Sequence, residues 1–188
     1  MRHVSGICSY SDWVSAAADA GYKFTSSQVA YCVSSLPEKQ RPVEYKNCQS
    51  AVECHDTFPK ELIDRLHPWR MESGSNWLKN NPSGKLVIIP SSAGLICMHE
   101  EEINSKAKCE FKEDDINSYV KELEKAISYT DKNEVNTYYN MISLGEKLDM
   151  GLLEKWLQAI QPYVDSGKVQ WKTLSEMYDA YIEWENKN

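Results

Sequence analysis

The sequence contains no hydrophobic run that approaches the about 20 residues needed to cross a bilayer. Its first residues have neither the basic stretch nor the apolar stretch of a secretory signal peptide. Positive charge is scarce, because 21 Lys and Arg side chains stand against 28 Asp and Glu and leave a net charge of -7. The basic residues are scattered along the chain. Composition therefore argues against binding to nucleic acid or to an anionic lipid surface.

Common nucleotide-binding and catalytic motifs are also missing. There is no G-x-G-x-x-G and no G-x-x-x-x-G-K-[ST], which removes the main sequence support for a nucleotide-binding α/β fold. No serine lies in a G-x-S-x-G context, and no H-E-x-x-H occurs. The sequence thus gives no motif for a P-loop, a dinucleotide site, an α/β-hydrolase nucleophile or a zinc-protease helix.

What the chain does contain is enough apolar surface for a core, with 41% hydrophobic and 11% aromatic residues. We predict one domain over residues 1–188, in which amphipathic helices alternate with short apolar runs. The predicted helices lie at 12–20, 59–66, 114–127, 150–163 and after a capping box at 173–176. The predicted strands lie at 22–33, 85–90, 95–98, 135–143 and 168–171.

Residues 34–84 interrupt this alternation. They hold most of the prolines and show little periodicity, yet they are too rich in aromatic side chains for disorder, so we predict an ordered irregular insertion. Trp69, Arg70, Asn76 and Trp77 are its candidate substrate-binding residues, because indoles stack on sugar faces while guanidinium and amide groups bind hydroxyls. The alternative is that the two tryptophans form a packed lid and that Arg70 makes a structural ion pair.

Six cysteines are compatible with three disulfides in an oxidising compartment, with buried thiols or with a zinc site. Cys48, Cys54 and His55 are the candidate metal ligands, because they place soft donors close together in sequence. Five residues separate the two cysteines, which departs from the tighter spacing of zinc knuckles. The spacing leaves these alternatives open, and a count of free thiols would separate them.

Alternating strands and helices are typical of βα units, whose strands pair in parallel. Parallel sheets either close into barrels or stay open with helices on both faces, and the missing nucleotide motifs favour the barrel. The predicted fold class is therefore α/β, a partial (β/α) barrel of the glycoside hydrolase and deacetylase type that carries a long irregular insertion.

Three stretches of the sequence resemble polysaccharide deacetylases of the NodB-homology superfamily. They are the Arg-x-x-x-Gly turn that starts at Arg2, the Ala-Gly-Tyr step at 20–22, and Gly-Lys-Val-Gln-Trp-Lys-Thr-Leu-Ser-Glu-Met-Tyr at 167–178. The match is to the C-terminal half of the family's barrel, and it covers the two ends of the chain better than the middle. The resemblance implies a metal-dependent site that removes acetyl groups from sugars. It also implies that Arg2 orients the catalytic carboxylate.

The resemblance places the catalytic Asp and the Asp-His-His metal ligands in motifs that precede the matched ones. The chain alone is therefore expected to be inactive, with a divalent metal such as zinc held by the missing half of the barrel. A leader peptide would also lie on that half, so the sequence leaves a cytoplasmic or secreted location open. The family's late-strand histidine has no counterpart at 136–143, which leaves His55, His67 and His99 as candidates for the general acid.

A second hypothesis from another class is a non-catalytic module that binds a glycan or a protein and is stapled by its cysteines. A saccharide is the predicted substrate in the first hypothesis and one of the two predicted ligands in the second. A half-barrel would expose strand edges and an apolar face, so the sequence also predicts self-association into a homo-oligomer.

Overall fold

The structure is a computed structural model. It describes residues 1–4, 13–26, 29–32, 39, 43, 46, 55–57, 62–72, 80–90, 112–139 and 149–188, with the backbone alone for 29–32 and 55–57. The helices are α1 (Trp13–Asp19), α2 (Glu113–Ser128), α3 (Met150–Asp165) and α4 (Leu174–Glu185), with a 3-10 turn at Leu62–Arg65. The strands are β1 (His3–Val4), β2 (Phe24–Thr25), β3 (Val29–Cys32), β4 (His55–Thr57), β5 (Trp69–Arg70) and β6 (Val87–Ile88).

Four short strands form the main sheet in the order β1-β2-β6-β5. The strands β1, β2 and β6 are parallel: β1 pairs with β2, and β2 pairs with β6. At the other border β5 runs antiparallel to β6, and its hairpin is extended by a bridge between Met71 and Asn80. Part of the predicted insertion is therefore built into the sheet. The strands β3 and β4 form a separate antiparallel pair.

The strand predicted at 85–90 is confirmed as a strand covered on both faces. Leu86, Val87, Ile88 and Ile89 are all fully buried. Because successive side chains of a strand point to opposite faces, Leu86 and Ile88 join one core while Val87 and Ile89 join the other. A continuous apolar run is what such two-sided burial requires.

The two faces of the sheet are covered by different helices. Helix α1 buries Trp13, Val14 and Ala17 against one face, in agreement with the helix predicted at 12–20. Helix α4 packs on the opposite face, where the ring of Tyr178 stacks on Phe24 with centroids 5.0 Å apart. The described part of the chain thus has one helix on each side of a small sheet, and it shows no closed barrel.

Helices α2 and α3 confirm the sequence prediction closely. Three acidic residues occupy the first turn of α2, where they interact favourably with the positive end of the helix dipole. The carboxylate of Asp149 caps α3 by accepting from the backbone N–H groups of Gly151 and Leu152. Thr173 and Glu176 form the predicted capping box of α4.

Two strand predictions are wrong in the part that the structure describes. Residues 135–139 and 168–171 form no strand, although both segments run between helices without turns of their own. Their few backbone contacts go elsewhere: the N–H of Thr137 donates to Leu66 O, and that of Val169 donates to Tyr163 O in the preceding helix. Strand propensity needs a neighbouring ladder, and neither segment has one here. The predicted strand at 95–98 lies outside the described residues.

Candidate functional site

Arg2, the residue predicted to orient a catalytic carboxylate, is bound to helix α4. Its guanidinium pairs with the carboxylate of Asp179, with Nη1 donating to Oδ2 at 3.2 Å, and it lies 5.0 Å from the ring centre of Tyr178. The hydrogen bond from Arg2 lowers the pKa of Asp179. Both side chains are substantially exposed, so in this structure Arg2 joins the first strand to the last helix at the surface.

Trp69 and Arg70 do not form an open sugar-binding surface. Trp69 is 8% exposed and belongs to the core between the sheet and α1. Arg70 donates from Nε and Nη2 to the two carboxylate oxygens of Glu185, both at 2.6 Å, and from Nη1 to Gly84 O at 2.9 Å. The ion pair of Arg70 is the one that the alternative interpretation expected, whereas the lid of two tryptophans in that interpretation also involves Trp77. Asn76 and Trp77 lie outside the described residues.

The candidate metal ligands are not brought together in the described part of the chain. Cys48 and Cys54 lie outside it, and only the backbone of His55 is described, in β4. Within the described ranges no three His, Cys, Asp or Glu side chains are grouped so that they could hold a metal ion. The candidate histidine His67 has Nδ1 3.3 Å from the carbonyl oxygen of Val135, which accepts its hydrogen bond, and His99 is outside the described residues.

A pair that the sequence did not single out joins the first residue of β1 to the residue that follows β2. His3 Nε2 is 2.8 Å from the hydroxyl oxygen of Ser26, and the imidazole packs on Phe24 with ring centres 5.0 Å apart. Burial lowers the pKa of His3, which favours the neutral imidazole at pH 7. No sequence motif marks the pair, because its two members are joined only by strand register.

Between α2, α3 and α4 the described residues form a groove of about 850 Å³. The segments 135–139 and 167–172 form its sides, so the two wrongly predicted strands both border it. Most of its inner surface is carbon, from residues such as Leu66, Leu123, Ala126, Ile127, Val135, Tyr138, Trp156, Ile160, Val169, Trp171 and Met177. We call this concavity the aromatic groove.

Two indoles meet at one side of the aromatic groove. The rings of Trp156 and Trp171 are 6.1 Å apart between centres and inclined at 65°, an edge-to-face arrangement typical of aromatic pairs. Trp171 is 56% exposed, whereas Trp156 is half-buried. Their helix and strand spacing in the sequence is typical of tryptophans that pack in a core or an interface, and the exposure of Trp171 argues against the core. The only sequence signal is the position of Trp171 four residues after the turn at Gly167, whose φ is +73°.

Several titratable side chains lie close together here, namely Tyr119 and Tyr138 of the groove lining and Glu122 near them. The hydroxyl of Tyr138 is buried and has no hydrogen-bond partner among the described residues. Burial raises the pKa values of Tyr138 and Tyr119, so both remain protonated donors at neutral pH. Burial also raises the pKa of Glu122, an effect that the nearby positive charges of Arg65 and Lys125 oppose.

Comparisons of the chain with protein-family models, with curated proteins and with solved structures found no significant match. Among the helices of the described ranges, none combines the length and the apolar character needed to cross a membrane. The geometry of the described residues therefore carries the functional argument.

Proposed function

We propose that the chain is the C-terminal part of a polysaccharide deacetylase-like barrel, and that the whole protein hydrolyses N- or O-acetyl groups on a saccharide. The supporting observation is the order of the parallel strands: β1, β2 and β6 are neighbours in chain order. A barrel adds its strands in this order, as does each half of an open doubly wound sheet on one side of its switch point. The resemblance of residues 167–178 to the deacetylase family supplies the chemistry.

The proposal divides the reaction between two parts of the protein. In the family that the chain resembles, the divalent ion and the catalytic carboxylate belong to motifs that precede the matched ones, and we assign them there. Arg2 already binds one carboxylate, that of Asp179, and is assigned the orientation of the catalytic carboxylate in the complete barrel. This assignment requires Arg2 to release Asp179 and to bind the catalytic carboxylate when the remaining strands are present.

In the proposed barrel, helix α4 has to occupy a different position. In a (β/α) barrel the helices lie outside and the opposite sheet face lines the interior. Here α1 covers one face, and α4 covers the face formed by Phe24, Val87 and Ile89. Closure of the barrel therefore requires α4 to leave that face.

Acetate release tests the proposed activity. The isolated chain should release no acetate from acetylated chitin oligosaccharides or acetylated xylan, with or without added Zn²⁺. Co-expression with its upstream coding sequence should give metal-dependent release, reduced at least ten-fold by Arg2→Gln. The upstream sequence should encode a Thr-Phe-Asp-Asp-like strand end and a His-x-x-x-His helix. Metal-independent activity of the chain alone, or an upstream sequence without these ligands, would contradict the proposal.

A non-catalytic binding module is the second candidate function, and the aromatic groove favours it. An open concavity with an exposed indole can bind a ligand without any catalytic group. Saccharide binding by the isolated chain, together with no acetate release from the co-expressed protein, would select this function over the first.

A further inference from the structure

We infer that the aromatic groove is a binding site for a neutral oligosaccharide, with the indole of Trp171 as its stacking surface. The inference takes only its class of ligand from the proposed function and concerns the chain with α4 packed on the sheet. It assigns binding to residues other than the predicted Trp69 and Trp77. The volume of the aromatic groove, about 850 Å³, lies within the range of about 300–1,000 Å³ that is usual for ligand pockets.

The two indoles form a rigid platform. Trp171 exposes 56% of its surface, which is costly for a large apolar side chain unless something else covers it. Trp156 packs its ring at 65° to that of Trp171 and limits the orientations that Trp171 can adopt. An exposed aromatic face whose orientation is restricted in this way is suited to stacking on the C–H face of a pyranose ring.

Polar groups beside Trp171 are available to bind hydroxyls. Within the part of the chain that the structure describes, the backbone groups of Gln170, Trp171 and Lys172 make no hydrogen bond to other backbone groups. The side-chain amide of Gln170 lies on the same border of the groove. An amide and a short run of peptide groups offer donors and acceptors side by side, which is the pattern that a sugar hydroxyl, itself donor and acceptor, can satisfy.

The charges on the rim of the groove favour a neutral ligand. Two ammonium groups, from Lys168 and Lys172, face three carboxylates, from Glu176, Asp179 and Glu183. Each carboxylate has a partner within the chain. A rim of mixed sign attracts neither a polyanion nor a polycation strongly. Neutral polyhydroxyl chains therefore suit the aromatic groove better than nucleic acids or acidic polysaccharides.

Titration of the isolated chain with chitotetraose and xylotetraose, followed by tryptophan fluorescence and by calorimetry, tests the inference. We expect saturable binding to at least one of them, weakened at least ten-fold by Trp171→Ala and about three-fold or more by Gln170→Ala. Met150→Ala is the matched control, because Met150 is a 66% exposed apolar residue of α3 outside the groove lining. It should leave binding unchanged. Circular dichroism should show that all three variants remain folded.

The remaining outcomes separate this inference from the proposed function. Loss of binding in Trp77→Ala but not in Trp171→Ala would move the saccharide to the predicted loop, overturning the inference while leaving the deacetylase proposal intact. Absence of binding to any neutral oligosaccharide would also overturn it, as would preference for polygalacturonate or for an extended peptide. Acetate release by the co-expressed protein is measured separately, so its failure leaves the binding result interpretable.

Discussion

Replacement of Glu185 by glutamine tests whether the Arg70 pair holds helix α4 on the sheet. The side chains of Arg70 and Glu185 are 19% and 28% exposed, and they are joined by two hydrogen bonds of 2.6 Å. An exposed ion pair contributes about 0–1 kcal/mol, whereas removal of one partner of a buried pair costs about 3–5 kcal/mol. We expect Glu185→Gln to lower the free energy of unfolding by about 2 kcal/mol, between these limits.

Urea unfolding monitored by circular dichroism measures this loss. In thermal unfolding the Tm should fall by about 4–8 °C, since a loss of 1 kcal/mol lowers the Tm of a chain of this size by about 2–4 °C. Glu183→Gln is the matched control on the same helix, because its pair with Lys187 leaves the two side chains 70% and 68% exposed. That change should leave the free energy of unfolding nearly unchanged, because solvent screens an exposed pair. Equal losses for the two variants would refute the argument.

The effect of Glu185→Gln should also depend on pH. The hydrogen bond from Arg70 lowers the pKa of Glu185 below its ordinary value of 4.5. A carboxyl whose pKa is lowered by folding stabilises the fold above its unfolded pKa, and the contribution disappears as the pH falls through the folded value. The stability difference between wild type and Glu185→Gln should therefore be constant near neutral pH and shrink below about pH 4.5.

Three further predictions concern the sheet. Phe24→Ala removes a fully buried ring and should cost about 3–5 kcal/mol in urea unfolding, against less than about 0.5 kcal/mol for Met150→Ala. Gly84→Ala should lower the free energy of unfolding by about 1–3 kcal/mol, because its Cβ would overlap the carbonyl oxygen of Met71, and an unchanged Tm would contradict this. The imidazole of His3 should titrate by NMR with a midpoint below 6.5, so its contribution to stability is present above pH 6.5 and is lost as the pH falls; a midpoint at or above 6.5 would show that burial does not control it.

Helices and the buried strand could be predicted because their signals are local. The caps at Asp149 and Thr173 mark helix starts within one turn, and the apolar run at 85–90 is long enough to require burial on both faces. The segments 135–139 and 168–171 carry equally good strand composition, but a strand also needs a partner, and pairing is not encoded within the segment itself. The predicted barrel depends on those pairings and stays a prediction.

The candidate site was harder to predict than the fold. Trp69 and Trp171 look alike in sequence, since each follows a turn-rich stretch, yet one is buried in the core and the other is exposed beside a groove. Burial is decided by which helix covers which face, and this is a long-range property. The contact of His3 with Ser26 likewise depends on the register between β1 and β2.

The position of α4 has a consequence for synthesis. The sheet face formed by Phe24, Val87 and Ile89 finds its cover in residues 174–185, which leave the ribosome about a hundred residues after the sheet itself. Until then the nascent chain presents an apolar patch to the cytosol or to a translocation channel, and domains fold as units while synthesis proceeds at about 5–20 residues per second. A chaperone that binds exposed hydrophobic surface would therefore have several seconds in which to engage this chain before its last helix arrives.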